Sequence, residues 1–358
     1  MAFALNLPIN SVSFGQVSFN ILREVYARQI APCIFPIGNP DVSAQKIDQD
    51  FAFWLQSCIN KSNKIHRRDN NIFKLWHVFD SMSSFSKEQV LLTFLETDSV
   101  TEMESNILRN QKQVFVTNNY TKEVMGEAGL TNISYLELGF DYNNFYRVNK
   151  KIYNEDVVVW GLFGKLENRK HTIKALRAWI EVYGNNPNHR LHAAITNPFL
   201  KAEDHQNILR QVFDKEYWNV NILPSVKTNA EYNDIINSVH IVIGLSGGEG
   251  FDMPVFHSVG LGKHCIGLRA HAYLDYLNDE NAVLIKPNSK VKSHDGIFFT
   301  EGQPYNQGNF FAWDMKEVKD SFDIVLQRYY KQPINEAGLK LQKRSYKTVV
   351  DKILESLI

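Results

Sequence analysis

The chain alternates short apolar segments with longer amphipathic ones, and this order restricts the possible folds more than any other feature. "FALNLPI" precedes "GQVSFNILREVYARQ", and "VFVTNN" precedes "YTKEVMGEAG". A second series of apolar segments begins at "DVVVWGLFG" and ends at "AVLIKP". Within it, Ile173, Leu176, Ile180 and Tyr183 recur at the spacing of one helix face that packs on a sheet. Alternating strands and helices predict an α/β protein with two parallel-sheet domains.

The composition excludes several classes of protein. With 358 residues, 44% of them hydrophobic, the chain is long enough to form two cores. Lys plus Arg and Asp plus Glu both number 39, so no overall field draws the protein to nucleic acid or an anionic membrane. Cys33, Cys58 and Cys265 lack the spacing of a metal site. No apolar stretch approaches the roughly 20 residues of a membrane span. We therefore expect a cytoplasmic protein that has no membrane span.

A glycine-rich turn follows one of the predicted strands. "VHIVIGLS" runs into "GGEGFDMP", so that Gly248 and Gly250 flank Glu249, and Pro254 suits the first turn of a following helix. Ligands of open parallel sheets bind where strands end and helices begin, because the N–H groups of a helix N-terminus attract anions. The sequence therefore predicts a binding site around Glu249, where the glycines let the backbone approach a ligand closely.

The segment "GEGFDMPVFHSVGLGKHCIG" resembles the signature of retaining glycosyltransferases of group 1, which have the GT-B fold of two Rossmann-like domains facing a cleft. In that signature a Glu, a Gly-Phe-Gly turn, a Pro and a second Glu grip a nucleotide-sugar donor. The resemblance implies that Glu249 binds a donor hydroxyl as a catalytic residue. It also implies that the backbone of the turn faces the sugar and diphosphate, which gives as donor-binding residues Gly248, Gly250, Phe251, Asp252 and Met253.

Two residues depart from the signature. Asp252 stands in place of a Gly, and His257 stands in place of the second Glu, which is expected to bind the ribose hydroxyls. His257 is therefore a candidate donor-binding residue. With an ordinary pKa near 6.5, its imidazole would make donor affinity change between about pH 5.5 and 7.5.

The segment "VVVWGLFGKLENRKHTIKALRAW" resembles the start of the family's second domain, where a Gly-Arg pair and a following Lys hold the donor diphosphate. Lys165 takes the place of the Arg and Lys170 that of the Lys, and Gly164 and Arg169 adjoin them as donor-binding residues. Without the family, cations beside a helix N-terminus are unfavourable unless an anion lies between them. Lys165 and Lys170 are predicted to be catalytic, by stabilising the leaving diphosphate.

The N-terminal half supplies the acceptor side. "LTFLETDSV" to "LELGFDYNNF" resembles the family's first domain, with Glu96 and Asp98 in a Glu-Thr-Asp turn. Gly15 lies where the family has a glycine-rich loop, and is assigned to the donor site. His77 follows the apolar "IFKLW", at the carboxyl end of a predicted strand, and is a candidate catalytic residue.

The resemblance implies an N-terminal acceptor domain over 1–150, a donor domain over 151–333 and a C-terminal helix over 334–358 that crosses back to the first domain. It implies a metal-independent transfer of a sugar from a UDP- or GDP-sugar to a hydroxyl of a small molecule, glycan or peptide. No cofactor or metal is expected, because the "DQD" at Asp48 and Asp50 lies in a predicted surface helix. Substituting Glu249 or Lys170 is expected to lower turnover and to leave the melting temperature nearly unchanged.

Two alternatives stay open. One is a transferase that adds sugars to hydroxymethylated bases of DNA. The basic loop "NKSNKIHRRDN", with Lys61, Lys64, Arg67 and Arg68, supports it, whereas the neutral net charge argues against nucleic acid. The other is a non-catalytic nucleotide-sugar-binding protein of the same fold, suggested by His257 and opposed by the intact "GEGF" turn.

Overall fold

The computed structural model describes residues 3–148 and 156–358. The first sheet is built, in chain order, from β1 (Ala4–Pro8), β2 (Cys33–Ile37), β3 (Ile72–Leu75), β4 (Gln89–Thr93), β5 (Gln113–Val116) and β6 (Ile133–Tyr135). Every described pairing in it is parallel, and the strand order is β2-β1-β3-β4-β5-β6. The helices of this half are α1 (Ser13–Ala27), α2 (Gln49–Ile65), α3 (Glu102–Arg109) and α4 (Asn119–Glu127).

The second sheet repeats this architecture. Its strands are β7 (Val158–Phe163), β8 (His189–Ala194), β9 (Val220–Ile222), β10 (Ile241–Gly244), β11 (His264–Leu268) and β12 (Val283–Ile285). They too pair in parallel, in the order β12-β11-β10-β7-β8-β9. The helices are α5 (Thr172–Tyr183), α6 (Ala202–Arg210), α7 (Asn229–Asn237) and α8 (Met253–Gly260). The prediction of two parallel α/β sheets is confirmed.

The remaining elements are a hairpin of β13 (Ser289–Lys292) and β14 (Asn309–Ala312), then α9 (Met315–Lys331), α10 (Glu336–Leu339) and α11 (Tyr346–Ser356), with 3-10 turns at Val78–Asp80, His271–Asp275 and Lys340–Lys343. The hairpin is antiparallel and was not predicted, because "NFFA" adjoins the amphipathic sequence of α9. Asp314 ends the strand segment by capping α9, since its side chain accepts from the N–H groups of Lys316 and Glu317.

The last helix crosses back to the first half, as expected. Helix α11 packs against α1, and Asp351 accepts a hydrogen bond from Arg28 at 2.7 Å. Near the end of the chain, the carbonyl of Leu357 accepts from the side chain of Asn71, just before β3, at 2.8 Å. The proposed boundary between 150 and 151 lies outside the described residues. No helix in the described ranges is long and apolar enough to cross a membrane.

Each sheet has a topological switch point, where successive strands lie on opposite sides of the first strand. In the first sheet it lies between β1 and β3, and in the second between β7 and β10. At such a point the loops after the two strands diverge and leave a crevice at the carboxyl edge of the sheet. The loops after β7 and β10 contain most of the predicted donor-site residues. Gly15 lies in the first turn of α1, the helix after β1, and His77 lies in the loop after β3.

Candidate functional site

Five charged side chains meet at the switch point of the second sheet, and we call them the charge cluster. Arg169 and Lys170 lie between β7 and α5, and Glu249 lies between β10 and α8. Glu167 belongs to the same loop as Arg169, and Glu96 follows β4 of the first sheet. The cluster therefore combines residues of both halves of the chain.

Arg169 is the centre of the charge cluster. Its guanidinium lies 3.1 Å from Glu167, 3.2 Å from Glu96 and 3.2 Å from Glu249, and it donates to the carbonyl of Gly248. Lys170 binds the other carboxylate oxygen of Glu249 at 2.5 Å. The side chains of Arg169 and Glu249 are each 5% exposed, so these pairs are shielded from solvent. Arg169 is thus held by three carboxylates, whereas Lys170 contacts only one of the cluster's carboxylates. Lys170 is therefore the cation that can more easily bind a ligand.

The cluster keeps its charges on both sides. Burial by itself would raise the pKa of Glu249, but Lys170 and Arg169 hold it well below its usual range. Burial would also lower the pKa of Lys170, which Asp252 and Glu249 raise above its usual value. Burial raises the pKa of Glu96, against the opposing effect of Arg169. Glu249 is therefore an ionised hydrogen-bond acceptor and Lys170 a persistent cation over the physiological pH range.

The glycine-rich turn approaches the first half of the protein rather than open space. A Cβ atom on Gly248 would overlap the backbone carbonyl of Glu96, and one on Gly250 would overlap the side chain of Phe94. The carbonyl of Gly250 accepts hydrogen bonds from Thr117 at 2.6 Å and from Asn118 at 2.9 Å. In this closed arrangement the two glycines let the turn approach the first half of the protein. That they also let it approach a ligand stays a prediction.

Gly164 and Lys165 precede the cluster in the loop after β7. Gly164 has a φ of +125°, and a Cβ atom there would press on the side chain of Lys170 at 3.1 Å, so glycine is required at this position. Lys165 lies 3.4 Å from Glu167 and over the rings of Phe199 and Phe298. Lys165 thus joins the cluster through Glu167, at a more exposed position than Lys170.

The next predicted donor residues hold the start of α8. Phe251 is buried, and its carbonyl accepts from the hydroxyl of Tyr276 at 2.9 Å. Asp252 caps α8 in the left-handed region, with a φ of +64°, and accepts from the hydroxyl of Tyr273 at 2.7 Å. Met253 begins the helix. Phe251 and Asp252 therefore shape the turn, and their role in donor binding stays a prediction.

A cavity of about 270 Å³ lies between the two halves, and we call it the inter-sheet cavity. The first residues of helices α1, α7 and α8 lie in its wall. The residues that line it are Ser11, Ser13, Gln16, Asn20, Ala44, Asp141, Phe145, Val226, Lys227, Thr228, Asn229, Tyr232, Met253, Pro254 and His257. Across it, the amides of Gln16 and Asn229 exchange two hydrogen bonds of 2.8 and 2.9 Å and connect the halves.

His257 lies on the cavity wall and is 4% exposed. Burial lowers its pKa to about 4, although Asp141 and the carbonyl of Met253 oppose that shift. The imidazole is therefore neutral between pH 5.5 and 7.5. The expectation of a step in donor affinity in that range is wrong in its premise, because the ring is buried among aromatic side chains.

In the first half, His77 comes just after β3 and occupies the position before the 3-10 turn Val78–Asp80. Its ring contacts that of Phe14 at 4.6 Å, and burial lowers its pKa to about 4, an effect to which the charge of Lys165 adds. His77 therefore lies in electrostatic range of the second half as a neutral imidazole. Gly15 is not among the residues that line the inter-sheet cavity, and a Cβ atom on it would overlap the backbone carbonyl of Asn10.

The predicted acceptor residues separate. Glu96 reaches the charge cluster, whereas Asp98 accepts from Lys290 at 2.8 Å and from the backbone of Asn309 at 2.8 Å. Asp98 thus holds the β13–β14 hairpin against the first half. A role in acceptor binding would require that contact to open, and for Asp98 it stays a prediction.

The residues of the alternative readings lie elsewhere. The basic segment is only partly a loop, because Lys61 and Lys64 lie at the end of α2 and Arg67 and Arg68 follow the helix. It precedes β3, at the amino ends of the strands and therefore at the edge opposite to the charge cluster. Asp48 caps α2 by accepting from the N–H of Phe51, and Asp50 lies in the first turn of that helix. Within residues 3–148 and 156–358, no group of three or more His, Cys, Asp or Glu side chains is arranged to hold a metal ion.

Several residues of the site were not predicted from the sequence. Glu167 contacts both Lys165 and Arg169, and its position among the cations of "KLENRK" was the one available signal. Thr117 and Asn118 contact the glycine-rich turn although they are more than 130 positions away along the chain. Such contacts have no local sequence signature.

No protein-family model matches this chain, and no curated protein matches it significantly. Solved structures do match over nearly the whole length. Sucrose-phosphate synthase of Thermosynechococcus elongatus has a TM-score of 0.67 at 11% identity, over 99% of this chain and 97% of its own. Anabaena HepE in complex with UDP-glucose has a TM-score of 0.65 at 14% identity, over 100% of this chain and 99% of its own. A glycosyltransferase from Rickettsia africae has a TM-score of 0.68 at 12% identity, over 99% of this chain and 97% of its own. At such identities the likeness is one of fold, and it confirms the GT-B architecture.

Proposed function

With the GT-B architecture as the premise, we propose that the protein is a glycosyltransferase. It moves a sugar from a nucleoside-diphosphate sugar, with UDP or GDP as the nucleotide, to a hydroxyl of a small molecule, a glycan or a peptide. The observation that carries the proposal is the buried pair of Lys170 and Glu249 at the switch point of the second sheet, where Glu96 of the first sheet completes the cluster. The complex of Anabaena HepE with UDP-glucose adds support for this class of donor.

The charge cluster suits the two ends of such a donor. Glu249 is ionised and accepts a hydrogen bond from a sugar hydroxyl, and the N-terminus of α8 directly after it attracts the diphosphate. Lys170 exchanges part of its contact with Glu249 for a phosphate oxygen. Arg169, held by three carboxylates, positions Glu249 rather than binding phosphate itself.

Transfer breaks the bond between the sugar's anomeric carbon and the diphosphate oxygen, and forms a bond from that carbon to the acceptor oxygen. The acceptor hydroxyl gives up its proton in this step, and an oxygen of the leaving diphosphate accepts it, so that the products are a glycoside and the nucleoside diphosphate. Negative charge develops on the leaving diphosphate, and Lys170, Lys165 and the α8 N-terminus stabilise it. These fixed positive charges support a reaction that needs no metal ion. Retention of configuration rests on the sequence resemblance, and His77 is the candidate on the acceptor side.

The contacts between the sheets indicate how a donor enters. Gly250 is bonded to Thr117 and Asn118, and Gln16 to Asn229, so the two halves are closed on each other. Donor binding requires these few hydrogen bonds to loosen, and closure afterwards excludes water from the reacting atoms.

The test is a panel of UDP-, GDP-, ADP- and dTDP-sugars with water and simple hydroxyl acceptors, with and without EDTA. We expect release of one nucleoside diphosphate, unaffected by EDTA, and a product with the anomeric configuration of the donor by proton NMR. The matched control is Lys170→Met, which keeps the length of the side chain and removes its charge.

Each alternative gives its own result. Binding without turnover for every donor and acceptor would identify a nucleotide-sugar-binding protein. Turnover only with hydroxymethylated DNA would support the DNA-modifying alternative. Loss of activity in EDTA that Mg²⁺ or Mn²⁺ restores would overturn metal independence, and an inverted product would overturn retention.

A further inference from the structure

Exposed apolar and basic side chains meet at the amino edge of the first sheet, and we call this surface the amino-edge patch. It lies where α2 ends and where β3 and β4 begin, and consists of Lys64, Ile65, Arg67, Arg68, Phe85 and Lys87. Ile65 is 58% exposed and Phe85 47%, so two large apolar side chains face solvent among four exposed cations. The proposed transfer does not use this surface, because Glu96, which this half contributes to the charge cluster, follows β4 at the opposite edge.

Two segments of the chain hold the patch together. The backbone N–H of Lys87 donates to the carbonyl of Arg68 at 2.9 Å, and Nε2 of His66 donates to the carbonyl of Phe85 at 3.0 Å. The ring of Phe85 stacks on that of Phe35 in β2, with centroids 4.1 Å apart and an interplanar angle of 9°. The ring of Phe85 is therefore fixed on the protein by one face, while about half of the residue stays open to solvent.

The patch is locally positive although the whole chain is neutral. The segments 61–70 and 81–88 contain five cations and only two acids, Asp69 and Glu88. Asp69 is occupied by Lys87, at 2.5 Å. In the described part of the chain, three exposed cations of these segments have no acid within ion-pair distance, and they are Lys64, Arg67 and Arg68. Their charges are available to a partner of negative charge.

The mixture of side chains distinguishes between the possible partners. Duplex DNA binds cations along its phosphates, and a protein that binds it makes about 6–10 such contacts. Three unpaired cations fall short of that number, and DNA phosphates give no favourable contact to Ile65 or Phe85. The surface of an anionic membrane takes both kinds of side chain, because cations bind the headgroups and apolar side chains enter the boundary with the acyl chains. A second copy of this patch would bring the same positive charge and be repelled.

The patch also contains space for a lipid headgroup. A cavity of about 270 Å³ lies beside Phe85. Phe35 and Phe85 form its apolar side, and Arg68, Asn63 and Ser84 lie in its polar wall. A guanidinium binds phosphate oxygens through two parallel hydrogen bonds, and the amide and hydroxyl are further donors. The cavity thus suits a headgroup phosphate whose acyl chains lie against the exposed ring.

We propose that the amino-edge patch binds the surface of an anionic membrane. Lys64, Arg67 and Arg68 contact the headgroups, and the side chains of Ile65 and Phe85 lie deeper, against the acyl chains. The strands of the first sheet are about 15 Å long, and the charge cluster lies beyond their other ends. The cleft of a bound protein therefore faces away from the lipid, and this interaction does not depend on the proposed transferase activity.

The first experiment measures co-sedimentation of the whole protein with lipid vesicles. Vesicles of phosphatidylcholine alone are compared with vesicles that contain about 30% phosphatidylserine, in about 0.05 M and about 0.5 M NaCl. We expect binding to the anionic vesicles alone, weakened about tenfold or more by the higher salt, because salt screens the exposed cations. Equal binding to both kinds of vesicle, or no binding to the anionic ones, overturns the proposal.

Substitutions then assign the binding to the patch. Arg67→Gln/Arg68→Gln removes two cations and should weaken binding to the anionic vesicles about 25-fold, at about fivefold for each cation. Ile65→Ser removes an apolar side chain and should weaken it about fivefold or more. All three side chains are exposed, so these variants are expected to fold like the wild type.

Matched controls come from the second half of the protein. Lys201→Gln/Arg210→Gln removes two exposed cations at the ends of α6 and changes the net charge by the same amount. Ile324→Ser removes a side chain that is 49% exposed in α9. Both controls should bind anionic vesicles as the wild type does. If they weaken binding as much as the patch variants do, the patch is not the contact surface and the proposal fails.

The other partners give results that overturn the proposal. Vesicle binding that survives both patch variants would place the contact elsewhere. A DNA duplex that binds when vesicles do not, with its affinity lost in Arg67→Gln/Arg68→Gln and kept in Ile65→Ser, would identify a nucleic-acid surface. A dimer in analytical ultracentrifugation that Ile65→Ser dissociates would identify a second copy of the chain as the partner.

Discussion

The switch points of the two sheets differ in the side chains around them. The first, where β1 and β3 end, is surrounded by Phe14, Trp76 and His77. The second, where β7 and β10 end, is surrounded by Lys170 and Glu249. Both points are carboxyl edges of parallel sheets with diverging loops. The first presents aromatic rings and a neutral imidazole, with ring centroids 4.6 to 5.9 Å apart. The second presents buried ions in direct contact. One topology thus supplies two chemical surfaces, and the side chains decide which half attracts an anion.

The difference has an energetic basis. Ions can stay buried in the charge cluster because each of its three carboxylates lies within 3.2 Å of the guanidinium of Arg169. In the first half, burial lowers the pKa of His77 to about 4 against the opposing charge of Asp80, so the ring is neutral. We infer that the second half carries the electrostatic part of catalysis and the first half shapes the acceptor side.

The largest expected effect comes from removing a charge from the charge cluster at the second sheet. Glu249→Gln should lower turnover about 100-fold or more. It should also destabilise the protein by about 3–5 kcal/mol, because it leaves the shielded cation of Lys170 without its acidic partner. The burial of Glu249 thus replaces the sequence-based expectation of an unchanged melting temperature. Turnover and urea denaturation check both parts.

The double variant Lys170→Met/Glu249→Gln separates stability from function. Removing both charges should recover part of the lost stability, because neither ion is then left unpaired, but turnover should stay as low as in the single variant. Recovery of turnover in the double variant would contradict a catalytic role for either residue.

An intermediate effect is expected at the junction of the two halves. Gly248→Ala places a methyl group on the backbone carbonyl of Glu96, which cannot move as a side chain could, so it should destabilise the protein by about 1–3 kcal/mol. Gly126→Ala is the matched control, because Gly126 lies in α4 with open space around it and should stabilise by up to about 1 kcal/mol. Equal effects of the two substitutions in urea denaturation would show that the halves do not close on each other in solution.

The smallest effect on turnover is expected at the switch point of the first sheet, where His77 is neutral. His77→Phe should lower turnover by about tenfold or less, the equivalent of one hydrogen bond. The pKa of His77 in the folded protein, about 4, lies below that of the unfolded chain. Its contribution to stability is therefore present above pH 6.5 and is lost as the pH falls toward 4.

Between pH 6.5 and 4, the free energy of unfolding of His77→Phe should fall less than that of the wild type. Unfolding curves at several pH values measure the difference. His257, His271 and His240 have pKa values lowered to about 4 as well, so the wild-type loss is only partly removed. An unchanged pH dependence would mean that His77 is solvated and ordinary.

Much of the fold could be predicted from local patterns. The apolar segments "VHIVIGLS" and "HCIGL" became β10 and β11, and Pro254 lies in the first turn of α8 as expected. Hairpin β13–β14 was missed because it contacts the first half through Asp98 and Thr101, residues that nothing near 289–312 specifies. Strand and helix periods are local properties of the chain, whereas the contacts that hold this hairpin join distant segments.

The candidate site divides in the same way. The sequence determined that Lys165, Arg169, Lys170 and Glu249 belong to strand ends of one sheet, because residue order and glycine spacing are sufficient for that. Only the tertiary structure decided which acids each cation pairs with. Arg169 contacts Glu96, Glu167 and Glu249, whereas Lys170 contacts Glu249 alone among acids within ion-pair distance in the described chain. The tertiary structure also decided that His257 is neutral. Charge pairing and burial depend on distances between segments far apart in the chain, and a sequence does not contain those distances.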